Sequence, residues 1–481
     1  VTTGQQTRPA APDERLRWRA LAVALVASFM TLLDVSIVNV ALPSIEGSLG
    51  ATQSDLQWIL SGYALTFALA LVPAGRVGDA RGRRTVYLVG LAGFVLASAA
   101  CGAAQTSWQL TAARLVQGAA AGAVIPQVSG FIQQLFQGAD RGRAFGVLGA
   151  TIGLSTAVGP VLGGVILAVA GEDQGWRWIF LVNVPLGAVA LVLARRYLPA
   201  PRPHRGPRES LDPVGVALLG TALVLLLLPL LEQREWEGAA KWLLLPAAAV
   251  VLAGFVLWER HHARRSQPLV DLRLFRSASY AFGTGLALAY FSGFTAIFFV
   301  LALYFQSGEG YSPLLSGLAI TPFAVGSAFA SAAGGRLVGR YGRALVVVGL
   351  ATVAVGLAAA DLVIAGDPER VGLLTALPLL VAGLGSGLVI TPNQTLTLAT
   401  VPVEQGGAAG GVLNTFQRIG AAIGIALVGG VVFNRLESSG GDWSEAVATG
   451  LRWSIALFAV ALALGVAELV RDRRRPAPAR P

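Results

Sequence analysis

The apolar residues of this chain fall into runs long enough to cross a lipid bilayer, separated by short segments that carry arginine. A helix needs about 20 apolar residues to span the hydrocarbon layer. There, only helices or closed barrels can satisfy every backbone amide and carbonyl. By that length, spans lie near 20–42, 57–75, 85–103, 110–135, 144–170, 178–194, 212–231, 242–258, 279–304, 314–335, 344–364, 371–395, 406–434 and 451–469. The reading is an all-α polytopic membrane protein with 14 transmembrane helices. Composition agrees: of 481 residues 54% are hydrophobic and 13% charged, against about 25% charged in soluble proteins. A soluble globular enzyme is excluded.

Charge tests the count, because one span too many or too few would swap the side of every later loop. With a cytoplasmic N-terminus, 28 of the 36 basic residues fall in inside segments, among them Arg15, Arg17, Arg76, Arg81, Arg141, Arg195, Arg264, Arg336 and Arg471. Six fall outside, including Arg177, Lys241 and Arg435, and two, Arg114 and Arg418, fall within spans. Both termini are therefore expected to be cytoplasmic. Residues 1–19 carry four arginines and no apolar core, so a retained first span is expected in place of a cleaved signal.

The residue inventory removes several function classes. Cys101 is the sole cysteine, which excludes an intramolecular disulfide and a thiolate metal cluster, and its expected place is lipid or a helix contact. His204, His261 and His262 fall in polar connecting stretches, so no imidazole is expected inside the membrane as base, proton relay or metal ligand. The one lysine, Lys241, precedes Trp242, so no phosphate-binding G-K-[ST] loop exists and the chain does not hydrolyse ATP by that route. The arginines sit at span ends and not beside aromatic platforms, which argues against nucleic acid as a partner. No cofactor is expected.

An internal repeat divides the chain. Gly75-Arg76-Val77-Gly78-Asp79-Ala80-Arg81-Gly82-Arg83 follows the second span, and Gly335-Arg336-Leu337-Val338-Gly339-Arg340-Tyr341-Gly342-Arg343 follows the tenth, with four identities at one offset. Two six-helix halves, 20–196 and 279–470, then flank two inserted helices at 212–258. The other segments are a cytoplasmic N-terminus at 1–19, linkers at 197–211 and 259–278, and a basic tail at 471–481.

These motifs resemble those of the major facilitator superfamily, in its branch of fourteen-span drug:proton antiporters, over nearly the whole chain. GRVGDARGRRTVYL, residues 75–88, resembles the superfamily's loop between helices two and three, with Gly75, Asp79, Gly82, Arg83 and Arg84 in place. The usual basic residue after the aspartate is Ala80 here, and the second copy has Gly339 in the aspartate's position. LDVSIVNVALPSI, residues 33–45, resembles the first-helix signature with its intramembrane acid, Asp34. LTAARLVQGAAAGAVIP, residues 110–126, is similar to the fourth-helix motif through Arg114, Gln117 and Gly118. GLSTAVGPVLGG, residues 153–164, resembles the fifth-helix antiporter motif through Gly153, Gly159, Pro160, Gly163 and Gly164, and WRWIFLVNVPLG, residues 176–187, fits the same branch.

Asp34 is the expected proton-coupling residue, because an ionised group inside a span is costly unless paired or hydrated; a structural helix–helix hydrogen bond is the alternative. Arg114 is equally costly and can hold a carboxylate bidentately, or else it forms a static pair or snorkels outward. In the loop motif Asp79 can accept hydrogen bonds from helix N-terminal amides or pair with arginines, closing the cytoplasmic side. A purely topological basic loop leaves that acid unexplained. In the fifth span, small residues and Pro160 make either a rocking hinge or plain close packing. The thirteenth span repeats the glycine spacing without the proline and carries Asn414, Gln417 and Arg418, polar enough to face a cavity or the inner interface. In the aromatic ninth span, most rings are expected at lipid or the interface, with Tyr290, Phe294 and Phe298 as weak substrate contacts.

The resemblance implies a monomeric bacterial inner-membrane exporter that exchanges protons for small lipophilic or amphipathic drugs by alternating access. The rivals are an exporter or symporter dedicated to one metabolite or lipid, an integral-membrane enzyme, for which the longest loops lack a catalytic cluster, and a channel.

Overall fold

The computed structural model describes residues 14–200, 211–232, 236, 238–366 and 369–473. Arg8, the connector 201–210 with His204, and the tail from residue 474 lie outside the described residues. Fourteen helices among those described are long and apolar enough to cross a membrane, and no strand occurs among them. They are α1 Glu14–Leu49, α2 Gln53–Arg81, α3 Arg83–Ala103, α4 Ser107–Leu135, α5 Gly138–Ala170, α6 Asp173–Tyr197, α7 Pro213–Leu231, α8 Ala239–His262, α9 Ala278–Gly308, α10 Pro313–Tyr341, α11 Arg343–Ala365, α12 Val371–Thr400, α13 Val403–Ser438 and α14 Trp443–Asp472.

Each apolar run corresponds to one helix, and most helices outrun their apolar stretch. Capping residues explain where several begin. Thr52 and Asp55 form a reciprocal capping box at the start of α2, and Ser312 caps α10 with Pro313 in the first turn. Helix α8 continues through His261 and His262, so these histidines occupy its last turn, where the His262 ring stacks on Trp258 at 5.7 Å. Helix α6 is broken at Val182, between Glu172–Leu181 and Asn183–Tyr197.

Packing repeats with a shift of eight helices. In the first half α2 and α3 pack on α4 and α1 on α5; in the second α10 and α11 pack on α12 and α9 on α13. The halves meet along two seams, α5 with α10 and α2 with α13. One hydrophobic cluster, including Tyr87, Phe131, Phe145, Tyr280, Ala409 and Leu413, joins both halves at the arginine-rich end.

The inserted pair covers one seam only. Helix α7 lies along α2 and α13, held by Gln57 Nε2 donating to the Leu231 carbonyl at 2.6 Å and Ser61 Oγ to Glu232 at 2.8 Å. After α8 the chain crosses the same seam at the arginine-rich end. Leu269 and Val270 are buried in the joint cluster, and Arg76 donates to Gln267 at 2.8 Å.

Candidate functional site

The charged centre lies inside the first half. Asp34 of α1 and Arg114 of α4 are buried completely and pair at 2.5 Å between Oδ2 and Nη1. Gln117, one turn beyond Arg114, completes a ring: its oxygen accepts from Arg114 Nη1 at 2.6 Å and its amide donates to Asp34 Oδ1 at 2.9 Å. Asn183, placed by the break in α6, donates to the same oxygen at 3.1 Å. Ser98 accepts a second bond from Gln117 at 2.8 Å, and Cys101, buried beside it, points its thiol at the Gln117 oxygen at 3.6 Å. Arg114 Nε donates to the Ile59 carbonyl at 3.1 Å, and its guanidinium lies 4.0 Å from the Tyr63 ring centroid.

A carboxylate with three side-chain donors from two helices, α4 and α6, is stabilised without water, and its arginine is shared with Gln117 and the Ile59 carbonyl. Loss of the negative charge would leave Arg114 buried without a counter-ion, a strong bias toward rearrangement. Any change in the charge of Asp34 would therefore act on the packing of α1, α4 and α6 together.

The loop motif forms a second centre at the arginine-rich end. Asp79 Oδ1 accepts from the Gly407 amide at 3.0 Å and Oδ2 from the Ala408 amide at 2.8 Å. Both amides are in the first turn of the α-helical part of α13, Gly406–Ser438, where donors lack helical partners and an anion is favoured. Arg83 pairs with Asp79 at 2.7 Å, donates to the Gly130 carbonyl at 2.8 Å, and reaches the Val403 carbonyl across the seam. Arg84 turns the other way, to the Arg195 carbonyl. Gly82 joins α2 to α3 at φ 107°, a conformation L side chains rarely adopt. A Cβ at Gly75 would stand 2.4 Å from the Gly407 carbonyl oxygen, so this glycine sets how closely the halves approach.

The α5 motif divides between two neighbours. Gly159 and Gly163 face Ser36 and Ile37 of α1, with Ser36 Oγ donating to the Ser155 carbonyl at 3.3 Å. Gly153, Pro160 and Gly164 face Ala328, Gly317 and Leu314 of α10. One helix thus contacts the charged first helix and the opposite half.

The ninth-span aromatics sit mostly inside the second half. Tyr290 is buried and donates to Ser386 Oγ at 2.7 Å. Phe294 stacks on it, and Phe298 packs on Phe294 and Phe323 at 5.1 Å each. Asn414 donates to the Gly410 carbonyl at 2.8 Å, while Gln417 has no protein hydrogen-bond partner among the described residues. Sequence reasoning did not single out Asn183, Ser98 or Tyr63. Their one signal is a polar group inside an apolar span. The Gly407 and Ala408 amides carry no side-chain signal at all.

Residues 24–425 match the profile of the Major Facilitator Superfamily. The probable actinorhodin transporter of Streptomyces coelicolor is 38% identical over 436 residues, covering 89% of this chain and 74% of the relative. The multidrug resistance protein Stp of Mycobacterium tuberculosis is 35% identical over 408 residues, 84% of this chain and 74% of the relative. Among solved structures, the human organic anion transporter TETRAN superposes with a TM-score of 0.68 at 18% identity, covering 93% of this chain and 99% of that one.

Proposed function

The chain belongs to the Major Facilitator Superfamily, and from that premise we propose that it is a proton-coupled exporter of lipophilic or amphipathic drugs and antibiotics. It is a multi-pass membrane transporter and not an enzyme. The observation that carries the coupling is the fully buried Asp34–Arg114 pair with its ring of amide donors.

The positive-inside rule makes the arginine-rich end cytoplasmic. There Asp79, held by the first turn of α13, and the Gly75–Gly407 approach close the access path. In the cycle, a proton arriving from outside neutralises Asp34 and frees Arg114. The α1–α4–α6 packing then shifts, α5 transmits the shift to α10, and the cytoplasmic closure opens to admit drug. Release of the proton inward restores the pair. The rocking bodies are residues 20–196 and 279–470, with the pair 212–258 riding on one seam, and a single monomer holds the whole machinery. One proton crossing about 100 mV supplies about 2.3 kcal/mol, enough for a roughly fortyfold gradient of a neutral substrate. The relatives named for actinorhodin transport and multidrug resistance support small antibiotic-like cargo.

The test is substrate-induced proton release from everted membrane vesicles. Wild-type vesicles are expected to lose their pH gradient when a transported compound is added, and Asp34→Asn vesicles with equal protein content are expected to keep it. A collapse that survives the substitution removes Asp34 from the mechanism.

A further inference from the structure

Three arginines buried in the two halves are neutralised by acids. Arg83, Arg114 and Arg343 each have a carboxylate partner, namely Asp79, Asp34 and Glu468. Arg418 of α13 has no carboxylate partner and no hydrogen-bond acceptor among the described residues. At 1.5 Å per residue it lies about 18 Å along α13 from Gly406, near the middle of a hydrocarbon layer about 30 Å thick. Its guanidinium rests 4.3 Å from the ring centroid of Phe67, a residue of α2 that is 2% exposed. The arginine therefore points into the opposite half and not toward lipid.

That contact ends a ladder. The Phe67 ring lies 6.0 Å from Tyr63, and the Tyr63 ring lies beneath Arg114, the partner of Asp34. A cation on an aromatic face is only partly compensated, and the N–H edge of the Arg418 guanidinium keeps its donors. Asn414 lies one turn below on the same helical face, its side-chain oxygen free of protein donors, and Gln417 stands beside it. An uncompensated cation deep in a span marks a ligand pathway.

We propose that Arg418 is the charge-recognition group of the transport site, and that the compounds carried are flat amphipathic acids. A carboxylate, phenolate or enolate takes the guanidinium edge bidentately, while the aromatic body packs beside the Arg418–Phe67 contact. This rests on the export reading and names its substrate class. Exchange of an inward proton for an outward monoanion also moves two charges in the direction favoured by a negative interior, so the membrane potential drives export along with the pH difference.

The experiment measures binding of anthraquinone-2-carboxylate and of its neutral twin anthraquinone-2-carboxamide to the purified full-length protein, by quenching of tryptophan fluorescence. Wild type is expected to bind the acid at least tenfold tighter than the amide. R418Q is expected to lose the preference, with its affinities for acid and amide within threefold of each other. The proposal is overturned if wild type does not bind the acid, if its preference is below threefold, or if a preference of threefold or more persists in R418Q. Should R418Q fail to fold, R418K decides: a preference of threefold or more supports the assignment, and a smaller one overturns it. The same acid applied to everted vesicles separates the two readings. Charge-dependent binding without proton release defeats proton-coupled export alone, and proton release without charge preference defeats the Arg418 assignment alone.

Discussion

The two copies of the loop motif begin alike and end in different work. Gly75 and Gly335 each bring their helix against a glycine near the start of a helix in the other half, Gly407 and Gly142, with a Cβ-to-oxygen distance of 2.4 Å in both cases. Gly82 and Gly342 both join consecutive helices at positive φ, and Arg83 and Arg343 are both buried at the next position. The copies part where Asp79 is matched by Gly339. Arg83 shares Asp79 with the first turn of α13 and reaches the Val403 carbonyl, so the first copy ties half to half. Arg343 pairs with Glu468 at 2.7 Å and donates to Asn393 and Ser279, all within the second half. One carboxylate decides whether a buried arginine fastens an interface or a core.

That contrast can be broken most forcefully at the second copy. Arg343→Ala would strand Glu468 inside the half that holds it, at a cost of about 3–5 kcal/mol. Denaturant unfolding of the purified protein should show this loss. Arg83→Ala should lose less, because Asp79 keeps its two amides. Equal losses would mean that the two arginines serve the same purpose.

Asp79→Asn sharpens the other side of the contrast. Replacing a charged acceptor at a helix N-terminus should weaken the closed arrangement by about 1.5–3 kcal/mol, a ten- to hundredfold shift in the ratio of closed to open molecules. Spin labels at the exposed positions Arg81 and Glu404 would report it as growth of a longer-distance population. An unchanged distance distribution would deny Asp79 its part in the closure. The smallest effect belongs to Gly339→Asp. A Cβ there meets nothing within 4 Å and the residue is helical at ordinary φ, so stability should change by less than about 0.5 kcal/mol. A gain comparable to the loss at Asp79 would show that the second copy is competent to fasten its seam.

All fourteen helices were legible because bilayer length and positive-inside charge act on composition, which a sequence displays directly. Helix ends were less so: α1 runs from Glu14 to Leu49, beyond the apolar stretch 20–42, since hydrogen-bonded turns continue through polar residues outside the hydrocarbon. The types of the site residues were legible, Asp34 and Arg114 by their cost within a span, but their pairing across 80 positions was not. Nor was the contribution of Asn183, which depends on a break in α6. Tyr290 reads as a cavity aromatic by its place in the ninth span, yet packing against Phe294, Phe458 and Ser386 draws it into the core of its half. The span of the second linker over the seam, through Gln267 and Val270, has no periodic signature and emerges only from tertiary packing.

Cys101 sits against Gln117, 0% exposed, and is the sole thiol in the chain. Cysteines introduced elsewhere can therefore be tagged with maleimides against a silent native background. The same seclusion turns the residue into a built-in reporter: Cys101 is expected to react only when the packing around Gln117 and Phe180 loosens, so alkylation followed by mass would time that loosening beside the charged centre without a single added label.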